Sequence, residues 1–381
     1  MKKYRSKKFL PVFHLPVFLP AAFLLLTASP LRAPALDISS AIRLPPGFEI
    51  EVYASNLDTA RGLAFAPDGT LFVGSKSGSV YAVLPDRRVL EVARGLTMPV
   101  GLDFHAGSLY VSAVDRIVRL DNILADLEAP PRPVVLPLQL PGDRHHGWKF
   151  IKFGPDGRLY VPVGAPCNVC SRSDPRYASI LRVSPDGGKA EIYASGVRNT
   201  VGFDWHPQTG RLWFTDNGRD RMGDDLPPDE LNRAEGPGGH FGFPYLHGRS
   251  VEDPEYWPQR PPLSFTPPLL ELPAHVAALG MRFYTHSSFP PEYRGGIFIA
   301  EHGSWNRSEK IGYRVSFVEL SGEEVLSYRI FASGWLQGSQ VLGRPADVEV
   351  GPGGDLYVSD DLAGAVYRIR YLPGGAADGD G

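Results

Sequence analysis

Short apolar segments separated by Pro, Asp and Gly recur along the chain. Each unit has an apolar strand, a polar turn and a second apolar strand, which is the pattern of a β-hairpin. Further strands such as "SVYAVLP" and "AVYRIRYL" lie between these units. The six hairpins cover residues 61–75, 100–113, 149–164, 201–218, 279–303 and 346–361.

The spacing of the hairpins predicts the fold. Four-stranded units at intervals of roughly 40 to 60 residues are typical of a β-propeller, in which each blade stacks on its neighbours to bury its faces. We therefore predict an all-β, six-bladed β-propeller over residues 36–372, with a strand from the start of the mature chain completing the last blade. The longest interval, 219–275, is predicted as a long loop insertion, and 373–381 as a disordered tail.

The N-terminal segment differs from the rest of the chain. A cationic start, "MKKYRSKK", precedes an apolar run and the small residues "APA", which predicts a secretory signal peptide at residues 1–35. An uncleaved membrane anchor is the alternative, because the run is long enough to span a bilayer. Cleavage would give a periplasmic or secreted protein with no stable membrane span.

Charge and composition narrow the class. The chain has 381 residues, 42 Gly and 37 Pro, with 43% hydrophobic residues, which supplies both turns and a large core. Without the N-terminal segment, 33 basic residues face 42 acidic ones, a net charge of about −9. This balance argues against nucleic acid as a partner.

Both cysteines, Cys167 and Cys170, lie in the motif "CNVC". An exported chain meets an oxidising compartment, so a local disulfide is our first interpretation. Haem attachment would require His after the second Cys, where Ser171 stands, and a zinc site would require further ligands that are not evident nearby.

Polar residues precede several hairpins at equivalent positions in different blades. Because the loops at one end of a propeller converge on its axis, these side chains are expected to meet at one mouth. Basic side chains together with an imidazole suit a polyanionic ligand and a general base. The residues are His146, Arg198, Asn199, His275, Lys310 and Arg344.

Six motifs occur in a specific order: "HHGWKFIKFGPDGRLYV", "GVRNTVGFDWHPQTGRLWFTDNGRD", "DELN", "GGHFGFPY", "AEHGSWNRSEKIGYRV" and "GRPADVEVGPGGDLYVSDD". Together they resemble the soluble quinoprotein sugar dehydrogenases that use pyrroloquinoline quinone (PQQ), and within them the sorbosone dehydrogenase-like branch. The resemblance covers residues from about 44 to 371. It implies oxidation of an aldose or sugar aldehyde at C1, with electrons leaving by a diffusible acceptor or a cytochrome.

The resemblance also implies roles for individual residues. His146 matches the general base that accepts the C1 hydroxyl proton while hydride passes to the quinone, and His145 is the less favoured choice. The basic side chains that hold the quinone match Arg198, Lys310 and Arg344. Asn199 matches a polar partner of the same cofactor.

A calcium ion in this family bridges cofactor and protein. Its ligands match the backbone carbonyls of Gly218 and Arg219, and acidic residues linked to it match Asp229 and Glu230. The polar and aromatic loop beside Lys310 is a candidate wall of the substrate or cofactor site. The wall candidates are His302, Trp305 and Arg307.

Two positions depart from the family pattern. Sugar-oxidising members carry an aspartate that supports the base where this chain has Ala165, so the tautomer of the histidine must be set otherwise, by Asp143 or by the adjacent Cys loop. A second cofactor-binding arginine is replaced by Ala346. Glucose is therefore not implied as the substrate. A calcium-dependent lactonase and a non-catalytic propeller that binds protein or glycan remain alternatives.

Overall fold

A computed structural model of the protein describes residues 38–373. The predicted signal peptide lies outside these residues, and so does the predicted tail apart from residue 373. Strands dominate the described chain, with short 3-10 helices at Ser39–Ala41, Ile123–Ala125, Trp257–Gln259 and Pro291–Tyr293. Among residues 38–373, no helix is long and apolar enough to cross a membrane.

Six blades form the architecture. Five have four strands and the third gains a fifth, and the first strand of the described chain, β1 (Phe48–Ala54), belongs to the sixth blade. Blades one to three consist of β2 (Ala60–Phe65), β3 (Leu71–Ser75), β4 (Val80–Val83) and β5 (Val89–Ala93); β6 (Leu102–His105), β7 (Ser108–Ser112), β8 (Ile117–Leu120) and β9 (Val134–Val135); and β10 (Lys152–Phe153), β11 (Leu159–Val163), β12 (Ser179–Ser184) and β13 (Gly187–Ser195). The later elements are β14 (Phe203–Trp205), β15 (Leu212–Asp216), β16 (Asp229–Ala234), β17 (Gly239–His240), β18 (Leu246–His247), β19 (Val251–Glu252), β20 (Leu270–Leu272), β21 (Ala278–Phe283), β22 (Ile297–Glu301), β23 (Arg314–Ser321), β24 (Glu324–Ala332), β25 (Leu336–Gln337), β26 (Gln340–Val341), β27 (Pro345–Val350), β28 (Leu356–Asp360) and β29 (Ala365–Tyr371).

Blade four is β14-β15-β16-β20, blade five is β21 to β24, and blade six is β27-β28-β29-β1. The pairing of β1 with β29 places Phe48 opposite Tyr371 and Ile50 opposite Ile369, so the start of the described chain closes the ring. The predicted six-bladed propeller and its mode of closure are confirmed.

The apolar core lies between adjacent blades. Phe72 and Val80 of blade one, for example, belong to the same buried cluster as Leu109 and Val111 of blade two. Alternate residues of each strand face one neighbouring blade or the other, which explains why strands with both faces covered are almost wholly apolar.

Residues 219–275 contain more regular structure than predicted. The segment supplies β16 and β20, which are two of the four strands of blade four, while β17 pairs in parallel with β13 of blade three. The polar composition of "DELNRA" concealed β16, because its buried Asp229 and Glu230 accept hydrogen bonds from backbone and amide groups instead of contacting water. The loop between β16 and β20 is the inserted part.

Glycines allow the inner strands to approach one another around the axis. A Cβ on Gly62 would lie 2.3 Å from the carbonyl oxygen of Val100, and one on Gly101 would lie 2.0 Å from that of Lys149. Both distances are far below van der Waals contact. The "RGL" and "VGL" steps of the repeated hairpins therefore set how closely the first three blades meet at the axis.

Aspartate side chains join every second pair of blades. A carboxylate on the inner strand of one blade accepts a backbone N–H from the inner strand of the next. The pairs are Asp103 with Phe153, at 2.7 Å, Asp204 with Phe283, at 3.1 Å, and Asp347 with Leu63, at 2.9 Å. Burial raises the pKa of Asp103 and of Asp347 to about 6. These bonds fix the register between blades and hence the relative positions of the loops at the mouth.

Candidate active site

A cavity of about 650 Å³ opens where the loops of several blades converge. This volume is within the range of about 300–1,000 Å³ that is usual for small-molecule sites. Its polar walls come from blade one, from the loops that precede blades three to six, and from the loops after β15 and β22. The charged and titratable side chains on these walls are Arg61, Lys76, Arg144, His145, His146, Arg198, Asp220, Asp229, His275, His302 and Arg344.

His146 is held in one orientation by the backbone. Its Nδ1 lies 2.7 Å from the carbonyl oxygen of Ala165, and since a carbonyl can only accept, Nδ1 carries the proton and Nε2 keeps its lone pair. Its backbone lies in the left-handed region, at φ 49°, which costs a non-glycine residue about 1–3 kcal/mol. Burial, together with the charges of Arg198 and His145, holds the pKa of His146 well below its usual range. The imidazole is therefore neutral near pH 7, as a general base must be.

The backbone carbonyl of Ala165 thus does what the missing aspartate would do for the tautomer. Asp143, which the sequence offered as a substitute, instead accepts a hydrogen bond from the Tyr177 hydroxyl. The side chain at position 165 is not needed for the orientation of His146, because the bond is made by the main chain.

Arg198 is 4% exposed and is fixed by hydrogen bonds to backbone and amide oxygens. Its Nε and Nη2 donate to the carbonyl and side-chain oxygens of Asn168, at 2.8 and 3.0 Å, and its Nη1 donates to the carbonyl of Asn217, at 3.1 Å. Asp220 lies 3.5 Å from Nη2. Beside it, the side-chain amide of Asn199 lines the cavity and has no hydrogen-bond partner among the described residues. Both residues lie where the sequence predicted.

The disulfide between Cys167 and Cys170 is present as predicted. It closes a loop of four residues that contains Asn168. The hydrogen bonds from Arg198 to Asn168 place this loop in contact with the guanidinium of Arg198.

A second group of cations lies across the cavity. Arg61 and Arg344 approach the two carboxylate oxygens of Asp361, at 2.6 and 2.9 Å. Burial alone would raise the pKa of Asp361, but these two charges and a hydrogen bond from His302 hold it below its usual range. Lys76 Nζ lies 5.6 Å from the centre of the Trp148 ring, within cation–π range, and burial and the Arg61 charge lower its pKa.

Sequence reasoning missed Arg61, Lys76 and Trp148. Arg61 is the first residue of the first hairpin, and Arg198 and Arg344 come shortly before the fourth and sixth hairpins. The recurrence of Arg near the start of a hairpin was therefore the signal that could have identified Arg61. Lys76 follows β3 and had no such signal. Trp148 stands two residues after His146, and its closeness to that residue was the available signal.

Lys310 does not reach the cavity. It is exposed, and its Nζ donates to the carbonyl of Ser339, at 2.8 Å. The backbone N–H of Ser304 bonds the carbonyl of Ile311, so residues 305–310 form the tip of a closed loop and the lysine lies on its outer side. The prediction that its side chain joins the other basic residues is wrong for this structure.

The predicted wall residues of the same loop separate into two groups. His302 and Trp305 line the cavity, and Trp305 is 72% exposed at its edge. Arg307 turns away and pairs with Asp225, at 2.9 Å, and with the carbonyl of Asp224. Burial lowers the pKa of His302 to about 4, although its hydrogen bond to Asp361, at 3.1 Å, opposes the shift.

The residues matched to calcium do not converge through their carboxylates. Asp229 and Glu230 are consecutive in β16 and so lie on opposite faces of the strand. Asp229 accepts from the backbone N–H groups of Gly218 and Ala278, whereas Glu230 accepts from Gly248, at 2.6 Å, on the other side. Within residues 38–373, no cluster of three or more His, Cys, Asp or Glu side chains is arranged to hold a metal ion.

Backbone oxygens remain as candidate ligands. The carbonyls of Gly218 and Arg219 accept no hydrogen bond from the described residues, and Gly218 lines the cavity. The side chain of Arg219 extends away from these carbonyls and forms an ion pair with Asp253. Burial raises the pKa of Asp229 to about 6, and burial with the nearby charge of Asp216 raises that of Glu230 to about 8.

Comparison with known proteins identifies the family. The model of the Glucose / Sorbosone dehydrogenase family matches residues 136–368. An uncharacterized protein of Borreliella burgdorferi is 34% identical over 373 residues, which is 93% of this chain and 98% of the relative. The chain therefore belongs to the glucose/sorbosone dehydrogenase family, a family of oxidoreductases, and the resemblance predicted from its motifs is confirmed at that level.

Solved structures support the same fold. A putative oxidoreductase (glucose dehydrogenase) of Thermus thermophilus is 25% identical, with a TM-score of 0.65 over 85% of this chain and 100% of the other. The PQQ-bound aldose sugar dehydrogenase of Streptomyces coelicolor gives 20% identity and 0.65 over 86% and 99%. The holo PQQ domain of pyranose dehydrogenase from Coprinopsis cinerea gives 18% and 0.72 over 86% and 97%.

Proposed function

We propose that this protein is a quinoprotein dehydrogenase that oxidises an aldose or a sorbosone-like sugar aldehyde at C1, with PQQ as cofactor and Ca²⁺ as metal. One observation carries the proposal. A single cavity of about 650 Å³ combines a base of fixed tautomer, His146, with cationic side chains from different blades.

The cavity fits a tricarboxylate. Arg198 on one side and Arg61, Lys76 and Arg344 on the other provide the positive charge that three carboxylates require. Orphaned polar atoms also line it: the buried Nε1 of Trp148 and the buried side-chain amide of Asn306 have no hydrogen-bond partner among the described residues. Buried donors and acceptors without partners are costly, so a polar ligand in this cavity would satisfy them.

Calcium would be held by neutral oxygens from the chain. The carbonyls of Gly218 and Arg219 are the available ligands, and Ca²⁺ takes six to eight oxygens, so most of the coordination would come from cofactor and solvent. Asp229 would contribute charge from behind these carbonyls, since its oxygens already accept backbone hydrogen bonds. Glu230, whose pKa burial raises to about 8, would be mostly uncharged near neutral pH.

The residues of the chain perform the proton transfer. PQQ, when bound, supplies a two-electron acceptor for the hydride from C1 of the sugar. His146 Nε2 accepts the proton of the C1 hydroxyl, and the Ala165 carbonyl keeps Nδ1 protonated so that the correct nitrogen faces the cavity. Arg198 and Asn199 border the same space and orient polar groups within it.

We place the protein in the periplasm or outside the cell, with a diffusible acceptor or a cytochrome as its electron partner. The lactonase alternative needs a metal held by side-chain carboxylates and amides near the axis, and the cationic walls of the cavity do not favour it. A non-catalytic binding module would have no need of a base with a fixed tautomer.

The first test is a titration of metal-stripped protein with PQQ, with and without Ca²⁺, followed by aldoses and sugar aldehydes. We expect calcium-dependent binding and then substrate-dependent reduction of the quinone, both followed by absorbance. In His146→Ala, quinone binding should persist while turnover falls by at least 100-fold, the usual contribution of a general base. No binding at micromolar PQQ would remove the proposal.

Two lysines provide a matched pair for the cofactor site. Lys76→Ala removes a cavity cation and should weaken quinone binding by roughly tenfold or more, since a hydrogen bond to a charged group contributes about 1.5–3 kcal/mol. Lys310→Ala removes an equally charged side chain outside the cavity and should leave the affinity unchanged. A larger effect at Lys310 than at Lys76 would contradict the structural assignment.

A further inference from the structure

The four-residue loop between Cys167 and Cys170 makes contacts that a surface loop does not need. Asn168, at its centre, forms four hydrogen bonds to two separate segments of the cavity wall. We propose that Asn168 is a positioning residue, which fixes the guanidinium of Arg198 and the segment 217–220 relative to each other. Its effect on cofactor binding rests on the proposed function, whereas its effect on Arg198 does not.

The first set of contacts orients Arg198. A guanidinium has five N–H donors in a fixed plane. Asn168 takes two of them, through its carbonyl oxygen at 2.8 Å and its Oδ1 at 3.0 Å, and Asn217 takes a third. Since these acceptors lie on different sides of the group, the plane is fixed and the remaining donors are left for the cavity.

The ion pair of Arg198 cannot do the same. Its distance to Asp220 is 3.5 Å, which is long for a hydrogen-bonded pair, and the Asp220 side chain is 21% exposed. Burial lowers the pKa of Arg198, and the charges of Asp220, Asp216 and Asp229 oppose that shift. The carboxylates therefore support the charge of the guanidinium, whereas the hydrogen bonds to Asn168 and Asn217 fix its orientation.

The second set of contacts holds the segment that carries the candidate calcium ligands. Oδ1 of Asn168 accepts from the backbone N–H of Asp220, at 2.8 Å, and its Nδ2 donates to the Asp220 carbonyl, at 3.0 Å. This reciprocal pair immobilises the chain one residue after Arg219. A single side chain thus links a cofactor cation to the carbonyls of Gly218 and Arg219.

The disulfide explains how a short loop can do this. Cys167 and Cys170 are bonded across only two intervening residues, so the backbone of Asn168 has few alternative conformations to lose when it meets Arg198. The sequence "CNVC" therefore encodes a rigid support and not only a crosslink.

Accessibility of Arg198 in the cofactor-free protein tests the support directly. Phenylglyoxal modifies exposed guanidinium groups, and peptide mass spectrometry reports the rate at Arg198 alone. Wild-type protein should be protected, as should Ser171→Ala, an exposed neighbour of the loop. Asn168→Ala should be modified at least tenfold faster, while Asn168→Asp, which keeps the acceptor for Arg198, should remain within about threefold of wild type.

A second variant covers the case in which Asn168→Ala does not fold. Cys167→Ser/Cys170→Ser keeps the Asn168 side chain but opens its loop, and it should also expose Arg198 at least tenfold. Wild-type modification rates at Arg198 in either folded variant would overturn the proposal.

Cofactor binding separates this inference from the proposed function. We expect Asn168→Ala to weaken PQQ binding by at least tenfold and to raise the Ca²⁺ concentration needed for half-saturation. Asn168→Asp should restore the affinity for PQQ more than the affinity for Ca²⁺. Unchanged affinities for both would refute the positioning role. If the wild-type protein itself binds no PQQ, the proposed function fails, and the modification rates still decide whether Asn168 holds Arg198.

Discussion

The position of His146 depends on the absence of a side chain at Gly164. A Cβ added at Gly164 would lie 2.6 Å from the Cβ of His146 and 2.9 Å from its carbonyl oxygen, and 3.3 Å from Oδ1 of Asn199. The backbone conformation of Gly164 does not require glycine, so Gly164→Ala introduces steric contacts without straining the backbone. Ordinary carbon contacts begin at about 3.5 Å, so His146 must move by about 1 Å.

This displacement has a predictable cost. A shift of about 1 Å in a catalytic group can reduce the rate about 100-fold, or about 2.7 kcal/mol. Overpacking of a tight site costs a further 1–3 kcal/mol or so of folding stability. We therefore expect Gly164→Ala to lower kcat by about 100-fold and to reduce the free energy of unfolding by about 1–3 kcal/mol, with a smaller change in quinone affinity.

The assay compares Gly164→Ala with a glycine that has free space around it. Gly353 has no heavy atom within 4 Å of an added Cβ, so Gly353→Ala should behave as wild type. Steady-state oxidation of the best sugar, with saturating PQQ and Ca²⁺ and a synthetic electron acceptor, gives kcat, and urea unfolding gives stability. If Gly164→Ala retained more than half the kcat of Gly353→Ala, His146 would not be the base or would not be held as described.

Two further predictions concern pH and the cation group. Because burial lowers the pKa of His146, its neutral form persists on acidification, and the acid limb of the kcat/KM profile should lie below pH 6.5; a limb at or above 6.5 would contradict this. Asp361→Asn should reduce the free energy of unfolding in urea by about 3–5 kcal/mol, because it leaves the buried charge of Arg61 without its partner. Asp86→Asn, which breaks an exposed pair with Arg88, should cost much less stability than Asp361→Asn, and equal losses would refute the argument.

The architecture could be predicted from the sequence because its signal is repeated. Alternating apolar residues and Pro/Asp/Gly turns recur in every blade, and repetition corrects a weak signal in any one of them. The strand β16 was missed for a physical reason: its Asp229 and Glu230 are buried, and their hydrogen-bond partners come from distant backbone. A polar strand with buried acceptors cannot be distinguished from a loop by hydropathy.

The candidate site could be predicted only in part. Arg198, Asn199 and Arg344 reach the cavity because each comes shortly before a hairpin, and the ring brings those positions together. Lys310 fails the same reasoning because a closed loop tip separates it from the axis. The lysine that does line the cavity is Lys76, whose Nζ lies over the ring of Trp148.

The electrostatics of the cavity link the basicity of His146 to the binding of an anion. The pKa of His146 is lowered first by burial and second by the charge of Arg198, with His145 adding to the effect, while the hydrogen bond to Ala165 opposes it. A carboxylate at position 165 would raise the pKa through its charge, whereas a carbonyl fixes the tautomer and adds no charge. A polyanion bound between Arg198 and the pair Arg61 and Arg344 would offset the effect of the cationic charges on the pKa of His146. The effect of burial on that pKa would remain. The imidazole of His146 should therefore become more basic when an anion is bound, yet remain less basic than a free imidazole. Under the proposed function, proton transfer from a sugar would then be easier in the loaded site than in the empty one.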